Sequence, residues 1–125
     1  MEPHYEVTPP PDRLADHVQI RSGFTAERGA VIRFMIQLEY WYQGNWTPVV
    51  RYDHDRYGDG GHDITEEGLH MDIYRNGEKV DVKDVSGPIP ADEGFDYAED
   101  DLRENVQEYI KRFERWHDIR NGSDL

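Results

Sequence analysis

Residues 30 to 42 read AVIRFMIQLEYWY, and few arrangements can accommodate them. Ile32, Phe34, Ile36, Leu38, Tyr40 and Tyr42 alternate with Val31, Arg33, Met35, Gln37, Glu39 and Trp41. A period of two puts each set on its own side of a pleated strand. The first set is wholly apolar, so this long strand needs a second layer packed against it.

A second strand, Trp46 to about Asp55, follows closely. A three-residue loop, Gln43-Gly44-Asn45, sets Tyr42 opposite Trp46, Tyr40 opposite Pro48, Leu38 opposite Val50 and Ile36 opposite Tyr52. A two-residue loop instead opposes Leu38 to Arg51 and Ile36 to Asp53. A one-residue slip exchanges the buried and wet faces, so apolar matching favours three. Arg51, Asp53 and Asp55 then share an outer face with Arg33, Gln37 and Glu39, while Tyr52 and His54 turn inward.

Between HMDIY and KVDV stands Asn76-Gly77, the pair best suited to a type I′ hairpin with positive φ at both central positions. That register predicts Ile73 opposite Val80, Met71 opposite Val82, Asp72 opposite Asp81 and His70 opposite Lys83. Two facing carboxylates repel unless salt screens them or a cation lies between. After Gly87-Pro88 the spacing of Leu102, Val106, Tyr109, Ile110, Phe113 and Trp116 predicts a helix from about Tyr97 to Arg120. Asp96 and Glu99 serve as N-cap and capping box, and Asn121-Gly122 as the stop.

These elements make an α+β domain, an antiparallel meander of at least four strands with one C-terminal helix packed on one face. Residues 1 to 11, rich in proline, read as a flexible arm, 12 to 121 as the single domain and 122 to 125 as a disordered tail. Leu14 to Ser22 fits a short strand or a helical turn. The three glycines at 58, 60 and 61 predict a flexible connection between the hairpins.

Composition bears on habitat and partners. The chain has 27 acids against 14 bases, and of those bases only Lys79, Lys83 and Lys111 are lysines. Acid-rich, lysine-poor surfaces keep proteins hydrated in strong salt, which points to a halophile. Net charge −13 does not exclude an RNA target there, because at ~1 M salt the Debye length falls to ~3 Å. Arg33 and Gln37 interrupt the longest apolar stretches, so no membrane span and no secretory segment is expected, and the reading is cytoplasmic. With no cysteine there is neither disulfide nor thiolate chemistry, and any metal falls to His, Asp and Glu.

The helix leaves one sheet face bare. Arg33, Gln37, Trp41, Asp55 and Lys83 mark it as a binding face or a homodimer interface. On it, Arg51, Asp53, His62 and His70 are candidates for acid–base work on a phosphodiester. A histidine moves the proton, a second histidine or an aspartate orients it, and an arginine forks onto phosphate oxygens. No cofactor is required, although His70, Asp72 and Asp81 can hold a divalent metal. The same residues can equally make a salt-bridged face. Gly58-Asp59-Gly60-Gly61 lacks the lysine of a phosphate-cradling loop, and no serine sits on a nucleophile elbow.

Arg51-Tyr52-Asp53 at the end of a strand, followed by His62 and His70 and a terminal helix, resembles the TumE-type small toxins of prokaryotic toxin–antitoxin pairs. Where that family has adjacent histidines, this chain has His62 before Asp63, and His70 between Leu69 and Met71. The resemblance implies action on RNA or the translation machinery, with neutralisation by an antitoxin. The other function class open to the sequence is a non-enzymatic protein-binding module or structural subunit of a halophilic archaeon or its virus.

Overall fold

The computed structural model describes residues 5–56 and 62–120. Six strands, β1 (Asp12–Ala15), β2 (Val18–Glu27), β3 (Ala30–Tyr42), β4 (Asn45–Asp55), β5 (His70–Arg75) and β6 (Glu78–Asp84), form one sheet in sequence order. Every neighbouring pair is antiparallel. Helix α1 (Ile64–Glu67) joins β4 to β5, and α2 (Ala91–Trp116) follows β6 and packs on the sheet. The expected α+β meander with a C-terminal helix is present, with two strands made from the stretch around Leu14 to Ser22. The glycines at 58, 60 and 61, the Asn121-Gly122 stop, the tail and the first four residues of the expected arm lie outside the described residues.

The β3–β4 and β5–β6 hairpins each carry a bulge that the sequence reading did not include. The β3–β4 turn is the two-residue Gln43-Gly44, with φ of 52° and 82°. Trp41 faces Trp46, and Tyr40 faces Thr47. A bulge between Leu38 and Glu39 then adds Val49, beside Pro48, which has no N–H to give the ladder. Beyond it Leu38 faces Val50 and Ile36 faces Tyr52, as expected. The shorter turn and the bulge cancel, so Arg51 and Asp53 still point away from the helix.

In β5–β6 the expected Asn76-Gly77 turn is present, but a bulge follows it at Val80. Ile73 therefore faces Asp81, Asp72 faces Val82, Met71 faces Lys83 and His70 faces Asp84. The predicted pairings Ile73–Val80, Met71–Val82, Asp72–Asp81 and His70–Lys83 are each displaced by one residue. Opposed residues share a face, so Asp81 and Lys83 lie on the side of Ile73 and Met71, away from Asp72.

The core fills the space between sheet and helix. Val18, Ile20, Phe34, Ile36, Leu38, Tyr40, Val50, Tyr52, Met71 and Ile73 meet Ala98, Leu102, Tyr109, Ile110 and Phe113. The helix begins six residues before the predicted Tyr97. Pro90, with φ −58°, sits at its N-cap in place of Asp96, and Asp92 and Glu93 supply the acids of the first turn. The Asp92 carboxylate accepts from the Val31 N–H at 2.9 Å, fastening this start to β3. Phe113 stacks on Tyr40 at 5.0 Å. At the middle of the interface Tyr52 and Tyr109 both donate to Asp101, at 2.5 and 3.2 Å.

Residues 5 to 7, expected within the flexible arm, are tied to the sheet. Val7 exchanges two 2.9 Å backbone bonds with Phe24, and the buried Tyr5 ring lies 3.0 Å from where a side chain at Gly23 would begin. A side chain there would require that ring to give way by a few tenths of an ångström.

Candidate functional site

The face away from α2 holds charged and amide side chains at regular two-residue intervals, yet much of it is inaccessible. Gln19, Gln37, Glu39, Asp55 and Asp72 are buried there with Met35. Burial of such groups costs several kcal/mol unless each finds partners, roughly 1–3 kcal/mol per unsatisfied group. Glu39 finds three, accepting from Gln37 Nε2 at 2.6 Å, Gln19 Nε2 at 2.8 Å and Arg21 Nε at 3.2 Å. Nearer Tyr5, Arg33 lies 3.9 Å from Asp55 and donates to Thr25, with its guanidinium over the Tyr5 ring.

Across the middle of this face runs a row contributed by successive strands: Arg21, Gln37, Arg51, Asp72 and Val82. Arg51 is only 12% exposed at its side chain and donates through Nε to Asp53 Oδ2 at 3.3 Å. Its guanidinium is part of the floor of the face rather than a projecting fork. Asp72, 6% exposed, is different in kind. Its Oδ1 is buried with no hydrogen-bond donor, and the nearest cation, Lys79 Nζ, is 3.9 Å away. Burial first, and the neighbouring Asp53 carboxylate second, push the Asp72 carboxyl above its usual range.

His62 is delivered to this row by the route into α1. The Asp55 N–H donates to the His62 carbonyl at 2.9 Å, extending the line of β4 by one bond. Asp63 then caps α1, accepting from the Thr65 N–H at 3.0 Å. The chain turns into β5 through Gly68 at φ 85°, where a Cβ would stand 2.3 Å from the Ser86 carbonyl oxygen. The short helix and this tight return bring His70 back beside His62. Their ring centroids are 5.6 Å apart, His62 Nδ1 lies 3.4 Å from Glu67 Oε2, and His70 Nε2 lies 3.2 Å from the Glu67 carbonyl and 3.5 Å from Asp84 Oδ1. An open depression of about 550 Å³, lined by Glu67, His70, Asp84, Val85, Ser86 and Gly87, opens beside His70.

Of the residues singled out in the sequence, Asp53, His62 and Asp72 form one cluster, and His62, Glu67 and His70 an adjoining one. In each, one nitrogen or oxygen atom per residue lies within 4.8 Å of the others. Arg51 borders the first cluster through Asp53. Arg33 and Asp55 lie toward Tyr5, and Trp41 lies at the hairpin end against Trp46, with a ring separation of 5.3 Å. Gln37 supports Glu39. Asp81 and Lys83 are turned away by the Val80 bulge, so the metal trio of His70, Asp72 and Asp81 does not assemble.

His54 is a structural residue, 2% exposed, and its Nδ1 accepts from the Ile64 N–H at 3.1 Å. Burial lowers its pKa, which keeps that nitrogen an acceptor. Glu67 and Lys79 were not anticipated. Glu67 sits five residues past His62, and Lys79 reaches Asp72 because the residues after the Asn76-Gly77 turn keep the regular register until Val80.

The chain matches, over residues 8–119, a family described as a domain of unknown function, DUF7718, and belongs to it. No curated protein and no solved structure is significantly similar to it. Among the described residues, no helix is long and apolar enough to cross a membrane.

Proposed function

We propose that this DUF7718 protein is a small toxin-like protein of a halophilic prokaryote that acts on RNA, and that an antitoxin silences it by covering the polar face of the sheet. The observation that carries the reading is the approach of two histidines eight residues apart to a ring separation of 5.6 Å, beside an open depression. His70, next to the depression, is the proton-transfer group, and His62, held by Glu67, orients it. Lys79, half-exposed beside Asp72, supplies the positive charge for a phosphate, while Arg51 fixes Asp53 beneath. The Arg51-Tyr52-Asp53 and histidine pattern, with its likeness to TumE-type toxins, supports the same class.

Expression in a haloarchaeal host tests it. Wild-type chain should arrest growth and shorten or modify an RNA species, and His70→Ala and Lys79→Ala, both at side chains with solvent access, should relieve the arrest while leaving the melting temperature near wild type. Unimpaired growth with abundant folded wild-type protein would sink the reading.

A second reading, a non-enzymatic protein-binding module, is favoured by the other end of the molecule. Trp41 is 47% exposed beside Trp46, whose ring carries the Arg13 guanidinium at 5.1 Å. The edge strand β6 exposes Val80 and Val82. Under it, Trp41→Ser should abolish co-purification of a partner and His70→Ala should not; the reverse pattern returns the function to the histidine site.

A further inference from the structure

We propose that Asp53, His62 and Asp72 bind a divalent transition-metal ion, Mn²⁺ or Zn²⁺, with Glu67 holding the imidazole in place. The three ligands come from β4, the segment leading into α1, and β5. One donor atom of each lies within 4.8 Å of the others, a spread that small side-chain rotations close to the ~2.0–2.2 Å bonds of such ions. The site does not depend on the RNA reading.

The feature that distinguishes this cluster from an ordinary acidic surface is the orphan oxygen of Asp72. Its side chain is more than nine-tenths buried, its Oδ1 has no donor, and a second carboxylate, Asp53, lies beside it. A cation within bonding distance would compensate a buried carboxylate so placed, and Lys79 Nζ at 3.9 Å is too far to donate a hydrogen bond. Lys79 is half-exposed on a flexible stem and can swing out as the ion enters. Arg51 engages Asp53 through Oδ2, leaving Oδ1 for the ion.

His62 completes the set in a recurring manner. A metal-bound imidazole normally gives its second nitrogen to a carboxylate, which fixes the ring and strengthens the ligand. Here Nδ1 lies 3.4 Å from Glu67 Oε2, so Nε2 is the nitrogen left for the ion. One imidazole and two carboxylates suit Mn²⁺ or Zn²⁺ better than the harder Mg²⁺. The rival seat, His62 with Glu67 and His70, has no comparable orphan. Glu67 is mostly exposed, and His70 Nε2 already lies against the Glu67 carbonyl and Asp84.

Calorimetric titration of the EDTA-treated full chain with MnCl₂ and with ZnCl₂, in molar NaCl, tests the assignment. One ion per chain should bind. Asp72→Asn and His62→Ala should each weaken binding at least about tenfold and Glu67→Gln by a smaller factor, with Asp81→Asn and Asp84→Asn unchanged. Far-UV circular dichroism establishes that the variants fold. In the wild type, sub-stoichiometric Mn²⁺ should first broaden the NMR signals of the His62 ring and the Asp53 and Asp72 amides, a readout that needs no variant. Absence of saturable binding up to millimolar metal overturns the proposal. So does loss of binding in His70→Ala with retention in Asp72→Asn, or broadening centred on the acids of α2.

Discussion

On the side of α2 the sheet buries Phe34, Ile36, Leu38 and Tyr52 against Leu102, Ile110 and Phe113; one residue along the same strands, on the opposite side, Gln37, Glu39, Asp55 and Asp72 are scarcely more accessible. The first face is kept dry by a second layer and stabilised by the area it removes from water. Among the described residues the second has Tyr5 and its own long side chains over it, and its stability rests on hydrogen-bond partners, fully supplied at Glu39 and missing at Asp72. Two faces of one sheet thus fail differently: the apolar one loses packing in proportion to volume removed, whereas the polar one loses stability when a partner goes and gains it when an uncompensated charge goes.

The sharpest way to break this contrast is on the helix side. Phe113→Ala empties the space against Tyr40 and should cost about 3–5 kcal/mol in chemical denaturation; a cost under about 1 kcal/mol would mean that the helix is not the lid of the core. On the polar side, Glu39→Ala removes little apolar area but strands three donors, and about 1–3 kcal/mol should be lost. Glu39→Gln, which keeps an acceptor of the same shape, should recover part of it. Asp72→Asn should move the other way, raising stability by ~1 kcal/mol in metal-free buffer, because it removes charge from a buried oxygen that lacks a donor. A drop in melting temperature would show that Lys79 pairs with it strongly.

The smallest effect at neutral pH belongs to Tyr109→Phe. Burial, together with the Asp101 carboxylate, pushes the Tyr109 hydroxyl up to about 12. A raised phenol leaves stability intact below its ordinary value of 10.0 and withdraws it as pH climbs from there to about 12. Wild type should therefore weaken over that interval, and Tyr109→Phe should weaken less. Identical alkaline profiles would separate the helix-side tyrosines from that titration.

Strand β3 was legible from end to end because its alternation runs unbroken from Ala30 to Tyr42, and the face of His54 and Arg51 followed from it. The turns and bulges were not. Gln43 and Asn76 both adopt positive φ before a glycine, but only Asn does so readily, so one turn was evident and the other was read one residue too long. Nothing local marks Val80 as a bulge, and that single residue removed Asp81 and Lys83 from the polar face. The beginning of α2 was hidden because Gly94 and a run of acids look like loop, whereas Pro90 and contact with β3 start the helix there. For the site, His62 and His70 were both expected on the bare sheet face, but what brings them together is the tight return through Gly68, which brings Glu67 along. The empty donor position at Asp72 is a property of three-dimensional packing that no spacing rule encodes.

The extra residue at Val49 has a consequence for how the molecule can change. Because the ladder is reset between Pro48 and Val50, the pairing of the Trp41–Trp46 end is offset by one residue from the pairing beneath it. Its aromatic surface can be exchanged for another tip of equal length without re-aiming Arg51 or Asp53, and unaltered amide chemical shifts at those two residues after such a graft are the expected sign. A sheet built this way can acquire new recognition at one end while the histidine end is conserved in place.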